Sequence, residues 1–189
     1  MTETPNPHIV DTDTLTGEMH PIRRCVLAIG SNLGERFSTL QGAVNALADT
    51  PEVWVTAVSP VYETAPVDAP EGSRDFLNAV VLADTTLSAR TLLERALAVE
   101  DAYGRERGTE PNAPRTLDVD LIVVGDRRAH DDDLVLPRPR AHERAFVLAP
   151  SKDVEPDAEL PGQGPVAELL AKSAEQEISL RDDLILSLQ

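Results

Sequence analysis

From Arg23 onward the apolar residues follow two alternating rhythms, one of strands and one of helices. "CVLAIG" (25–30) is a short apolar run ending in glycine, followed by the loop "SNLGE". Phe37, Leu40, Val44 and Leu47 then recur at helical spacing, so the first unit reads as strand, Gly-containing turn and helix. "VWVTAVSPVYET" (53–64) is β-branched and aromatic with Pro60 inside it, which fits a strand that is bent or lies at a sheet edge. "APVDAPEGSR" (65–74) reads as a Pro-rich loop. "DFLNAVVLAD" (75–84) predicts the next strand, its alternation placing Phe76, Asn78, Val80 and Leu82 on one face. Ser88 is placed to cap a helix that runs to Tyr103 and stops at Gly104. "GRERGTEPNAPR" (104–115) has no period and reads as a mobile loop. "PRTLDVDLIVVGD" (114–126) predicts a strand, and "GDRRAHDDD" a turn and loop. "LVLPRPRAHERAFVLAP" reads as a loop leading into a short helix, and "GPVAELLAKSAEQ" as a last helix.

Residues 1–22 carry no sustained period and read as a flexible tail, so the expected domain covers 23–175, with 176–189 as an extension. A chain of 189 residues suits one domain. Interleaved strands and helices, joined by both turns and crossovers, point to an α+β sandwich with helices packed on one sheet.

The net charge of −16 argues against generic attraction to nucleic acid or to an anionic membrane, so no partner of either kind is expected. A polyanionic ligand would need a local basic patch or a metal. Eight of the fifteen arginines fall between Arg105 and Arg144, which is either such a patch or a solvated mixed surface. The single cysteine, Cys25, leaves nothing for an internal disulfide or a thiolate zinc site. The first 24 residues lack the apolar core of a signal peptide, and no apolar run approaches the roughly 20 residues that span a bilayer. A cytoplasmic protein is expected.

Two anomalies stand out against this background. Residues two apart in a strand share a face, so Asp118 and Asp120 point the same way while Leu117, Val119, Leu121 and Val123 point the other. The acids' face continues as Ile122 and Val124, which makes the strand buried on both sides with its acids at one end. The plain alternative is a solvent-facing edge. Two neighbouring buried carboxylates repel each other, and a hard divalent ion such as Mg²⁺ or Mn²⁺ relieves that cost. Glu100 is the second anomaly, since it shares a helical arc with Leu92, Leu93, Ala96 and Tyr103. It is either a helix-end residue leaning into solvent or an oriented carboxylate holding a loop or a ligand. "GSNLGE" is likewise either an anion-cradling turn or an ordinary strand-to-helix turn. Arg105, Arg107, Arg115, Arg140 and Arg144 flank the acidic pair in sequence, a combination that suits phosphoryl transfer. None of the four histidines has zinc-ligand spacing.

Taken in order, "AIGSNLGERFSTL", "VSPVYETAPV", "DFLNAVV", "LLERALAVEDAYGRER", "PRTLDVDLIVVGD" and "LPRPRAHERAFVLAP" resemble the 6-hydroxymethyl-7,8-dihydropterin pyrophosphokinase family. The resemblance runs from about Val26 to Leu170, and its PRTLDVDL and RAFVLAP blocks are the specific ones. It implies a ferredoxin-like, mainly antiparallel α+β fold and the transfer of pyrophosphate from ATP to the hydroxymethyl oxygen of the pterin, in folate biosynthesis. It implies two Mg²⁺ ions on Asp118 and Asp120, with Arg105, Arg107 and Arg115 completing the catalytic set. Thr64, Pro66, Val67, Phe76, Asn78 and Phe146 would hold the pterin, and Glu100, Arg115, Arg138 and Arg144 the nucleotide. The chain departs from the family pattern in two places. "PNAPR" lacks a loop tryptophan, and Pro137-Arg138 stands where the family usually has Pro-His. The implied enzyme is a monomer acting on small molecules. The other readings are a related metal-dependent transferase with another acceptor and a catalytically silent pterin- or nucleotide-binding module of the same fold.

Overall fold

The computed structural model describes residues 21–66, 71–103 and 117–188. β1 (Arg23–Ser31) is buried on both faces from Leu27 to Ser31, as a central strand must be. It leads into α1 (Arg36–Ala48), which buries Leu40, Ala43, Val44 and Leu47 on one side. β2 (Val53–Val58) and β3 (Val61–Thr64) follow, then β4 (Phe76–Thr85), α2 (Ala89–Ala102) and β5 (Asp118–Val124). Ser88 caps α2 by accepting from the Thr91 N–H at 3.1 Å.

The main sheet runs β4, β1, β5 in its centre and on one side, with β2 and β3 sharing the other edge of β4. Every pairing is antiparallel. Strand, helix, bent strand, strand, helix, strand in this order is a split βαβ arrangement, the ferredoxin-like α+β class. The segment 53–64 is two strands, because Pro60 has no N–H to give the ladder. Ser59 stitches the break to β4: its N–H donates to the Val80 carbonyl at 2.9 Å, and its hydroxyl accepts from the Val80 N–H at 2.8 Å.

Past β5, a two-residue hairpin of β6 (Ala129–His130) and β7 (Val135–Leu136) occupies the region expected as turn and loop. A 3₁₀ turn (Ala141–Glu143) then enters α3 (Ala145–Val154). The hairpin of β8 (Glu159–Leu160) and β9 (Gly164–Pro165) precedes α4 (Val166–Lys172). The segment 176–189, expected as an extension, supplies β10 (Ile178–Arg181), which pairs with β3 and forms an edge of the main sheet.

Two apolar layers result. α1 and α2 pack on one face over Leu27, Ile29, Leu77 and Val81. α3 and α4 pack on the other over Ala28, Val80, Ile122 and Val123. Each fully buried leucine contributes about 1.5–3 kcal/mol of transfer free energy.

β5 departs from strict alternation beyond Leu121. Strict alternation sent Val123 to the face of Val119 and Leu121, and Val124 to the acids' face. The reverse is found, with Val123 in the α3/α4 layer and Val124 in the α1/α2 layer. The register against β1 slips between Val26 and Leu27, which pair with Val123 and Leu121 respectively, leaving Ile122 as the extra residue. A bulge of this kind swaps the faces beyond it while leaving Asp118 and Asp120 where alternation put them.

Cys25 lies fully inside β1, and burial, aided by Asp84 and opposed by Arg23, pushes its thiol up to about 12.

Candidate active site

The α3/α4 layer covers only the Val80 and Ile122 end of its sheet face. The other end is the floor of a cavity of about 630 Å³, within the size range of small-ligand pockets. Sheet register sets that floor. Gly30 pairs with Asn78 on one side and Asp118 on the other, and Ala28 pairs with Val80 and Asp120. The two carboxylates therefore project into the cavity beside the smallest residues of β1. Gly30 is required there, since a Cβ would stand 2.9 Å from Asn78 Oδ1.

Asn78 is buried and donates from Nδ2 to Thr64 Oγ1 at 2.7 Å, which fixes its amide across the β3–β4 pair. Phe76 and Phe146, on β4 and α3, line the same cavity, as does Pro66. On the β5 side stand three arginines. Arg138 is anchored by its backbone N–H on the Ile122 carbonyl at 2.9 Å and holds Nη2 3.6 Å from Asp120 Oδ1. Arg140 takes a left-handed backbone conformation, φ 65°, uncommon for a side chain of its size and frequent at functional sites. Arg144 is half-buried, its guanidinium carbon 5.7 Å from the Phe146 ring centroid, within cation–π reach. Burial first, and then the neighbouring Arg140 and Arg138, lower its pKa, while Asp120 acts the other way. An arginine stays cationic throughout.

Asp118 and Asp120 suit a hard divalent cation, though no group of three or more potential ligands occurs among the described residues. Two carboxylates completed by phosphate oxygens and water are the usual way a protein holds Mg²⁺.

A sequence model of 7,8-dihydro-6-hydroxymethylpterin-pyrophosphokinase (HPPK) matches residues 26–156. The chain belongs to this family. It is 44% identical over 175 residues to the 2-amino-4-hydroxy-6-hydroxymethyldihydropteridine pyrophosphokinase of Mycobacterium leprae, covering 87% of this chain and 88% of that one. The Methylorubrum extorquens protein of the same name is 41% identical over 152 residues, 79% of this chain and 92% of that one. Among solved structures, wild-type Plasmodium falciparum HPPK-DHPS with pterin and p-hydroxybenzoate shares the fold, with a TM-score of 0.64 at 13% identity. The match covers 82% of this chain and 44% of that longer one.

Of the residues singled out in the sequence, this pyrophosphokinase-family chain brings together Thr64, Pro66, Phe76, Asn78, Asp118, Asp120, Arg138, Arg144 and Phe146 around one cavity. Val67, Arg105, Arg107 and Arg115 lie outside the described residues, as do the expected tail up to residue 20 and the loop 104–115. Glu100 is not on the cavity wall. It is buried, 1% exposed, and its Oε1 accepts the Val119 N–H at 2.8 Å. Of its two readings, the oriented carboxylate holds, and what it orients is the start of β5. The "GSNLGE" turn is tied to the segment just before β4 by Asn32 Nδ2 on the Arg74 carbonyl and Arg74 Nη1 on the Gly34 carbonyl, both 3.3 Å. Apart from Gly30 it stays off the cavity wall, as an ordinary strand-to-helix turn does. Gln176, Glu177 and Ile178 also line the cavity. The helix expected to run to Gln176 ends at Lys172, and neither that helical pattern nor the extension after it marks these residues as part of a site.

Proposed function

We propose that this cavity is where the pyrophosphokinase moves the terminal pyrophosphate of ATP, as one unit, to the hydroxymethyl oxygen of 6-hydroxymethyl-7,8-dihydropterin. The bond from the bridging oxygen to the β-phosphorus opens, AMP leaves with that oxygen, and the hydroxyl proton is lost as its oxygen bonds to the β-phosphorus. The observation that carries the assignment is that one cavity joins an aromatic and amide half to a carboxylate and guanidinium half.

In the first half, Phe76 and Phe146 stack on the two faces of the pterin. Asn78, Thr64 and the backbone of Pro66 and Val67 pair with its edge. In the second half, Asp118 and Asp120 would hold two Mg²⁺ ions, which would supply positive charge against the triphosphate. Arg138 and Arg144, with Arg105, Arg107 and Arg115, balance the remaining negative charge around the transferring group. Arg138 can trade Asp120 for a phosphate oxygen, since both accept from a guanidinium. Glu100 serves the nucleotide side by bracing the strand that carries the aspartates. Alignment of the hydroxymethyl oxygen with the β-phosphorus is the main contribution these residues make to rate. The enzyme acts as a cytoplasmic monomer on small molecules. Among the described residues no helix is long and apolar enough to cross a membrane.

The test is to incubate the protein with ATP, Mg²⁺ and the pterin and to separate the nucleotides. AMP that forms only with the pterin is the expected product. ADP would replace this reading with another kinase, and unchanged ATP alongside pterin binding would point to the silent module. A second expected outcome concerns the floor. Gly30→Ala forces the Asn78 amide aside, so the KM for the pterin rises roughly tenfold while the melting temperature changes little. Steady-state kinetics with a thermal melt checks it.

A further inference from the structure

We infer that Gln176, in the segment after α4, is a positioning residue that sets Arg144 and Phe146 in the cavity. The inference rests on the reading of that cavity as the pyrophosphokinase site. α3 begins at Ala145, and Arg144 precedes it without a side-chain cap, so the first helical N–H groups need an acceptor from elsewhere. Ala145 donates its N–H to Gln176 Oε1 at 2.9 Å, and Gln176 Nε2 donates to the Glu143 carbonyl at 2.6 Å. One side-chain amide thus pairs with the backbone on both sides of Arg144, as a neighbouring strand would.

The peptide groups of Arg144 itself are also held. Its N–H donates to the Ala141 carbonyl at 3.2 Å, and its own carbonyl accepts from Val147 and Leu148, each at 3.0 Å. With both flanking peptides fixed, the guanidinium is aimed over the Phe146 ring, and both side chains face the cavity. Two residues beyond Gln176, Ile178 pairs with Thr64 on the opposite wall. Three consecutive residues therefore tie the wall bearing Arg144 and Phe146 to the wall bearing Thr64 and Asn78. This tie comes from beyond residues 26–156, the part matched by the family model.

Two full-length variants, Gln176→Ala and Gln176→Glu, test the inference. Gln176→Ala removes both bonds. It is expected to raise the pterin dissociation constant and KM roughly five- to tenfold, shift the melting temperature by no more than about 2 °C, and speed amide exchange at Ala145. Gln176→Glu keeps the acceptor for Ala145 but sets a carboxylate oxygen against the Glu143 carbonyl in place of the donor, so its affinity should fall between that of Gln176→Ala and that of the parent. Unchanged pterin affinity and unchanged Ala145 exchange in Gln176→Ala would overturn the inference. So would a loss of affinity that follows a falling melting temperature with no recovery in Gln176→Glu. If the parent protein makes no AMP, the assigned activity falls, while pterin titration and exchange at Ala145 still decide the role of Gln176.

Discussion

Asp118→Ala is expected to abolish turnover, with kcat falling at least roughly a thousandfold, while the pterin dissociation constant stays within about twofold of the parent. The separation follows from the register of the floor. Asp118 lies on β5, across Gly30 from Asn78, so it shares the cavity with the residues proposed for the pterin but takes no part in the Asn78–Thr64 hydrogen bond. Removing the carboxylate takes away one of the two proposed metal ligands and leaves the aromatic and amide half intact. Asp118→Asn keeps the shape and loses the charge, so it should be nearly as inactive. AMP formation across a Mg²⁺ titration, paired with fluorescence titration of the pterin, checks both claims. Substantial activity in either variant would show that the metal is held elsewhere, and a parallel loss of pterin binding would show that the two halves of the cavity are not independent.

Glu100→Ala should damage stability more than any of the cavity substitutions, costing about 2–4 kcal/mol in chemical denaturation. The Val119 N–H, which now donates to Oε1, would be left without that acceptor in a buried setting, and the truncated side chain would leave a hole at the end of α2. Among the described residues β5 pairs only with β1 in the main sheet, so this bond anchors a strand whose described partner lies on one side. Because Val119 lies between Asp118 and Asp120, loosening it should also raise the Mg²⁺ concentration needed for half-maximal rate. Glu100→Gln retains an acceptor and should cost less than half as much. Equal stability of all three proteins would mean that the carboxylate does not brace the strand.

The long elements were legible because burial writes a period into the chain. α1 shows this through Leu40, Val44 and Leu47 on its one buried side, and β4 through an alternation that sends Val80 to the α3/α4 layer and Leu77, Ala79 and Val81 to the α1/α2 layer. The acidic pair was legible for the opposite reason, as charge where the period called for apolar residues. Other features left no trace of that kind. The slip at Ile122 occurs within a uniformly apolar run, so Val123 and Val124 exchange faces without any change in residue type. β6 and β7 are two residues each, shorter than any repeat. β10 is exposed or half-exposed throughout, so its place is decided by the free edge of β3 rather than by its own pattern. The site followed the same division. Its chemistry-bearing residues were readable as types, whereas Gln176 joins it only because the chain returns to the cavity from a distant segment.

The single cysteine gives this fold a built-in reporter. Cys25 sits in β1 between β4 and β5, and its thiol, ordinarily near 9.0 and here near 12, stays protonated and shielded as long as those strands are closed. A thiolate-seeking reagent can then modify the protein only during excursions that open the centre of the sheet. The rate of labelling measures how often the strand bearing Gly30 comes free, without an added probe. The same shift weakens the fold at alkaline pH. Above pH 9.0 the unfolded thiol gives up its proton and the folded one keeps it until about 12, so stability declines across that window as pH rises.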